Sequence, residues 1–206
     1  FGTYGPGATN LSTGVGSAYL DRSPMIALSD EMPESFRGRV VQMSVDHQAI
    51  FAPLTKETTR LEKNKIRETI FDAANVALSG RPGPVHIGLP TSLNAEQPEV
   101  DDYSPVGKTQ PKAPEDESLS AAKELLLKAK KPLLAVGLAA ANPEYAASIR
   151  EFAEQNSIPI VLTPMAKGVI AEDHPSYTGV LFHALSDIVG EIHRSADLVV
   201  SVGYDP

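Results

Sequence analysis

At 206 residues the chain is long enough for one large domain or two small ones. Apolar residues make up 42% and charged residues 21%, ordinary for a globular protein, and no run of about 18 apolar residues is present to span a membrane. Cysteine is absent, which excludes disulfides and thiolate chemistry and suits the cytoplasm, while a scattered formal charge of −8 argues against nucleic-acid and anionic-membrane partners and favours a small molecule.

Phe1-Gly2-Thr3-Tyr4 lacks the basic start and apolar core of a signal peptide. Gly5-Pro6-Gly7-Ala8-Thr9-Asn10 follows at once, and a helix-like run extends to Leu20. Glycines around a proline let the backbone turn tightly and approach a ligand, and the helix opening behind them presents amide hydrogens and a positive dipole end. The same residues also serve tight strand-to-helix turns that bind nothing. Leu11, Val15, Ala18 and Tyr19 have helical spacing, with Gly14 and Gly16 expected to allow close packing on a sheet. Met25–Leu28 reads as a strand covered on both faces, and Ser29–Gly38 as the loop at its carboxyl end, where ligands gather in open parallel sheets. Glu31 and Glu34 are candidate site residues there, although carboxylates in loops are usually just exposed.

Val45–Phe51 reads as a short helix stopped before Pro53, and Leu54–Leu61 as a half-exposed or edge strand. Asn64 is expected to cap a helix whose stripe is Ile66, Ile70, Phe71, Ala74 and Leu78, ended by Gly80. Arg81–Pro84 is a turn, and Val85–Pro90 a strand in which His86 is expected to be a packed or hydrogen-bonded core residue rather than a catalytic one. From Asn94 onward proline and charge replace aliphatics, so a linker and domain boundary are expected over 94–115.

The α/β rhythm then restarts. Helix 118–129 should bury Leu119, Ala122, Leu125 and Leu126, and Pro132–Gly137 is a buried strand. Asn142 and Pro143 suit the cap and first turn of a helix with Ile149, Phe152 and Ala153 inward. Ile158–Leu162 is the next strand, Thr163–Tyr177 a loop, Ala184–Arg194 the last helix and Leu198–Val202 the last strand. Both units are therefore α/β, with parallel sheets and crossover helices. Gly137 is the only glycine where a dinucleotide fold places G-x-G-x-x-G, and Lys167-Gly168 sits in a later strand-end loop where a lysine can meet a phosphate. Histidines 47, 86, 174, 183 and 193 have no zinc-ligand spacing, and neither G-x-S-x-G nor H-E-x-x-H occurs. With almost no strand before Gly5 and a strand just before Pro206, the chain reads as a piece of a longer polypeptide.

The run Gly5-Pro6-Gly7-Ala8-Thr9-Asn10-Leu11, with Tyr19–Ala27, resembles the thiamine-diphosphate enzymes of the acetolactate synthase and pyruvate oxidase family. The likeness continues through Val45-Asp46-His47, Pro53–Lys56, Ser79–Val85, Ala166–Ile170 with Asp173-His174-Pro175, and Val202–Pro206. It implies that 1–93 is the later part of a pyrimidine-binding domain and 116–206 a truncated, Rossmann-like central domain. By position, Thr3, Gly5, Pro6, Gly7 and Asn10 would line the aminopyrimidine side of thiamine diphosphate, with Glu31, Gln42 and Met43 on loops facing the substrate. The family's activating glutamate would lie upstream and its Mg2+ motif downstream, so this piece alone is not expected to turn over.

The resemblance further implies a 2-oxo acid decarboxylase or carboligase, a homodimer or homotetramer in the full-length protein, and, from Tyr204-Asp205-Pro206 in place of an R-F-D pattern, no FAD. Glu31 stands where the family has glutamine, Asp30 where it has glycine, and Gln42-Met43-Ser44 replaces F-Q-E, which leaves the acceptor open. A sister activity such as sulfoacetaldehyde acetyltransferase or oxalyl-CoA decarboxylase is one alternative. A non-catalytic nucleotide-binding module, taking ADP, FAD or CoA, is another.

Overall fold

The computed structural model describes residues 1–36, 38–39, 41–93, 112–181 and 187–204. Contacts divide the chain into two compact units, Phe1–Pro111 and Lys112–Pro206.

In the first unit Gly5 adopts φ 67°, a left-handed conformation that a side chain would strain, and opens α1 (Pro6–Leu20) with Pro6 in the first turn. There follow β1 (Met25–Glu31), α2 (His47–Phe51), β2 (Thr58–Arg60), α3 (Ile66–Leu78) and β3 (Pro84–Pro90). Among the described residues the strands pair in parallel in the order β1-β3-β2, and Gly2 bridges to Ser29 beside β1. Gly2 N–H donates to Leu28 O and Gly2 O accepts from Asp30 N, each at 2.9 Å, which ties the start of the Gly5 turn to β1. Ala8 and Val15 of α1 and Phe51 of α2 pack with Ala27 on one face of the sheet; Ala73 and Ala77 of α3 cover Val85 and Ile87 on the other. Alternation along the strands therefore sends Ser29, Glu31, His86 and Thr58 toward α2. Lys56 reaches across to the last turn of α3, donating to Val76 O and to Ser79 O at 2.7 Å, a cation on helix-end carbonyls.

Several expectations change here. The strand does not stop at Leu28: Ser29, Asp30 and Glu31 belong to β1, because pairing with β3 continues to Pro90. Strand β2 is only Thr58–Arg60, and Asn64 lies in a short 3-10 turn that precedes α3 without capping it. The buried face of α3 runs through Ala73 and Ala77, leaving Ile70 43% exposed. Gly80 does follow the helix end, at φ 54°.

The second unit holds α4 (Asp116–Lys128), β4 (Pro132–Val136), α5 (Pro143–Asn156), β5 (Ile160–Leu162), β6 (Tyr177–Val180), α6 (Asp187–Ser195) and β7 (Leu198–Val202). Its described strands are all parallel in the order β6-β5-β4-β7. Ala146, Ile149 and Ala153 of α5 pack on the Leu134, Val136, Ile160 and Leu162 side, while Val189 and Ile192 of α6 cover Leu133, Ala135 and Val161. Helices on both faces, with strand order reversing between β4 and β7, make this a doubly wound sheet.

Asn142 caps α5 as expected, its Oδ1 accepting from Glu144 N at 3.1 Å. Asp197 Oδ1 and Oδ2 accept from Lys131 N and Lys130 N, each at 2.8 Å, and these bonds hold its carboxyl below the usual range. Strand β6 begins at the last residue of the expected loop Thr163–Tyr177 and runs to Val180, a stretch for which no strand was expected. Leu119 and Leu125 are 59% and 58% exposed and Phe152 is also exposed, so the expected buried faces of α4 and α5 hold only in part, through Leu126, Ile149 and Ala153. The linker over 94–111, His183, the first residues of the last expected helix, and Asp205-Pro206 lie outside the described residues.

Gly14 does not pack on the sheet. A Cβ there meets nothing within 4 Å, whereas one at Gly16 meets Leu54 Cδ2 at 3.7 Å. Gly14→Ala is expected to stabilise the chain by about 0.5–1 kcal/mol, read as a higher urea midpoint. A loss of that size would show that α1 is more tightly packed at this point.

Candidate functional site

The carboxyl ends of β1 and β2 and the Gly5 turn enclose a cavity of about 350 Å³, lined by residues including Tyr4, Glu31, Met32, Met43, His47 and Arg60. It lies where an open parallel sheet offers its ligand site. Of the residues singled out in sequence, Glu31 and Met43 line this cavity. Gly5 borders it through Met43, since a Cβ on Gly5 would approach Met43 O to 2.7 Å. Met43 itself has φ 60°, so the loop before α2 is bent sharply onto the turn. Thr3, Pro6 and Asn10 are exposed, Gly7 is half-buried against Thr3, and Gln42 is exposed outside the cavity lining.

Glu31 is not an exposed loop carboxylate. It is 4% exposed at the end of β1, ion-paired with Arg60 and accepting from Gln48 Nε2 at 2.6 Å. A side chain at Gly88 would fall on this carboxylate, so the missing Cβ of β3 makes the space for it. A buried ion pair adds little net stability, but removing one partner leaves an uncompensated charge.

From this pair a polar layer runs back under α2. Gln48 Nε2 also donates to Thr59 O at 3.1 Å, and Thr58 Oγ1 donates to Gln48 Oε1 at 2.7 Å. Thr58 Oγ1 is 2.7 Å from His86 Nδ1; Ser29 Oγ lies 2.8 Å from His86 Nε2 and 2.9 Å from His47 Nδ1. Gly5 N–H then donates to His47 Nε2 at 3.1 Å, which brings the layer to the glycine turn. Phe51 stacks on His86 with ring centroids 4.1 Å apart. His86 is thus a bonded core histidine, as expected from the sequence.

His86 is pushed down to about 4, first by burial and then by the nearby His47. Burial also lowers His47, against the opposing pull of Glu31 and Asp46. Both rings are therefore neutral at pH 7. Asp46 caps α2 by accepting from Ala49 N at 3.0 Å, which sets His47 and Gln48 in the first turn facing the sheet.

Sequence reasoning missed Ser29, His47, Gln48, Thr58 and Arg60. The available signal was period-two spacing: Ser29 with Glu31 and Thr58 with Arg60 each share a strand face. In the second unit Lys167 pairs with Glu172 at 2.9 Å, an ion pair that raises the lysine. At the reversal point Gly137 abuts Gly203, Ala139 N donates to Gly203 O at 3.1 Å, and a Cβ on Gly137 would lie 2.9 Å from Gly203 C. No cluster of His, Asp and Glu suited to a metal ion occurs among the described residues, and none of their helices is long and apolar enough to cross a membrane.

Comparison with known proteins bears on this arrangement. Residues 1–50 match the model of the thiamine pyrophosphate enzyme N-terminal TPP binding domain, and residues 119–206 match that of the thiamine pyrophosphate enzyme central domain. The chain belongs to the thiamine pyrophosphate enzyme family. It is 32% identical to a probable acetolactate synthase large subunit of Methanococcus aeolicus, over 98% of this chain and 35% of that protein. It is 34% identical to the acetolactate synthase large subunit of Corynebacterium glutamicum, over 98% and 33%. With the acetolactate synthase isozyme 1 large subunit of Escherichia coli K12 it shares 33% identity over 97% and 35%. The chain thus spans about a third of the length of these relatives.

The buried histidines give a pH dependence of definite sign. Below pH 6.5 an unfolded chain takes up a proton that folded His86 refuses until about pH 4, so stability is full above 6.5 and falls as pH drops through that window. The loss is on the order of 3 kcal/mol. Urea midpoints measured between pH 7 and 5 should fall with pH in the native chain and fall less steeply in His86→Phe.

Proposed function

We propose that residues 1–93 are the later part of a pyrimidine-binding domain, 94–115 a linker, and 116–206 a truncated central domain of a thiamine-diphosphate enzyme acting on a 2-oxo acid, most like acetolactate synthase. The observation that carries this reading is the order of the two family matches, with the Gly5 turn standing at the carboxyl edge of the first sheet. In this reading Gly5, Pro6 and Gly7 hold the aminopyrimidine edge at the start of α1, with Thr3 and Asn10 at its rim. The missing Cβ at Gly5 lets Met43 close over the turn, and the adjoining cavity, lined by Tyr4 and Met43, has room for a ring. Thiamine diphosphate, if held there, would supply a carbon nucleophile and an electron sink for decarboxylation of a 2-oxo acid. The chain's own part is to orient the ring and wall it from water.

Glu31, Met43 and, at the loop rim, Gln42 face the acceptor. Mg2+ and the activating glutamate belong to parts of the parent protein outside this sequence, so the piece alone is inactive. The run Tyr204-Asp205-Pro206, in place of the R-F-D pattern of the FAD-carrying members, supports the family's flavin-free branch for this protein. The working protein is a cytoplasmic homodimer or homotetramer.

The full-length protein from the parent reading frame tests this. It should form acetolactate from pyruvate only with thiamine diphosphate and Mg2+, and Gly5→Ala should raise the cofactor concentration for half activity about tenfold or more. Turnover of sulfoacetaldehyde with phosphate, or of oxalyl-CoA, in place of pyruvate would move it to a sister activity. A protein that binds ADP or CoA tightly but no thiamine diphosphate would be a nucleotide-binding module instead.

A further inference from the structure

We infer that His47 is a positioning residue for the Gly5 turn, held as its Nδ1-protonated neutral tautomer by a one-way hydrogen-bond chain through Ser29, His86, Thr58 and Gln48 to Glu31. The direction of every bond follows from the two ends. At one end Gly5 N–H can only donate, and it points at His47 Nε2, so that nitrogen carries no proton. Neutral His47 then has its proton on Nδ1 and donates it to Ser29 Oγ. At the other end, Gln48 Nε2 faces two groups that can only accept, the Glu31 carboxylate and Thr59 O. Gln48 is therefore not flipped, and its Oε1 needs the single hydroxyl proton of Thr58. With that proton committed, His86 Nδ1 has to be the donor to Thr58, and His86 Nε2 is bare. Ser29 gives its hydroxyl proton to that bare nitrogen. The two derivations start at opposite ends and meet at Ser29 without conflict.

Such a chain is not a proton wire. It ends on a backbone amide and includes a carboxamide, neither of which passes a proton on. Its effect is on geometry. If His47 took the other tautomer, Nε2–H would face Gly5 N–H, two donors in a buried site, and the turn would have to move. Burial of both rings works in the same sense, since it keeps them neutral. The anchor of the Gly5 turn therefore extends to the Glu31–Arg60 pair at the carboxyl end of the sheet. Its effect on cofactor binding rests on the function proposed above, whereas the tautomers do not.

The test uses full-length protein labelled with 15N-histidine, its ring-nitrogen resonances assigned by difference with His47→Gln and His86→Phe. At pH 7.5 both rings should show a protonated Nδ1 and a bare Nε2, although imidazole in water prefers the opposite form. Gln48→Leu, which touches neither ring, should release His86 from that form. In the second arm, His47→Phe removes the acceptor for Gly5 and should raise the half-saturating thiamine diphosphate concentration about tenfold, with KM for pyruvate unchanged. His47→Gln keeps an acceptor and should stay within about threefold of the native value. A protonated Nε2 on His47 in the native protein would overturn the inference, as would equal cofactor losses in the Phe and Gln variants. If the native protein shows the expected tautomers but binds no thiamine diphosphate, the positioning of Gly5 stands and the proposed function falls.

Discussion

Burying hydroxyl, imidazole, carboxamide and carboxylate groups between α2 and a sheet otherwise covered by Ala, Val and Ile is tolerable only if every donor meets an acceptor. The first unit meets that condition with one continuous layer. Ser29 and His86 come from two neighbouring strands, Thr58 from a third, and His47 and Gln48 from the helix above. Because each group has one role fixed by its neighbour, the layer specifies the register of the strands and the seat of α2 together. An apolar face of the same shape would leave α2 free to slide. The Gly5 turn is tied to this layer by a single backbone bond, and through it to the whole sheet.

The same layer explains why a glycine-rich turn at the start of α1 needs so much support. Gly5 has a left-handed φ that glycine adopts freely, but it sits under Met43, a non-glycine residue also held at positive φ, so the strain at the site falls on Met43. Strain of this kind persists only where surrounding contacts over-determine it. Here the contacts are a buried imidazole below and the bent loop above.

Much of the architecture was legible in sequence because local signals and tertiary packing agreed. Asn142-Pro143 opened a helix, Gly80 followed one, and the apolar runs 132–136 and 198–202 became parallel strands, the first buried and the second only half-buried. The glycine turn and the neighbouring motifs also pointed to the right family. What was missed is tertiary in origin. Ser29-Asp30-Glu31 reads as a polar loop until β3 is known to run beside it, and β6 is a short strand whose partner β5 lies across a loop in sequence. Ile70, Leu119, Leu125 and Phe152 are apolar at helical spacing yet exposed, because burial depends on which face a neighbour covers rather than on the stripe alone. The polar layer itself was invisible for a further reason: its members are spread over residues 29–86 and only the register of three strands brings them to one face.

The carboxylate of Asp197 has a bearing on how the second unit assembles. It closes on the amides of Lys130 and Lys131, at sequence separations of 67 and 66, at the same end of the sheet where β7 first meets β4. Strand β4 is central, so one of its edges stays open through synthesis of β5, β6 and α6, and is covered only when β7 arrives. Contacts this distant in sequence form late and slowly. During that interval the unit carries an unsatisfied, strongly apolar strand edge, the kind of surface that draws other chains into association. Two bonds from one aspartate at the entrance of the pairing thus mark where this edge of β4 is covered.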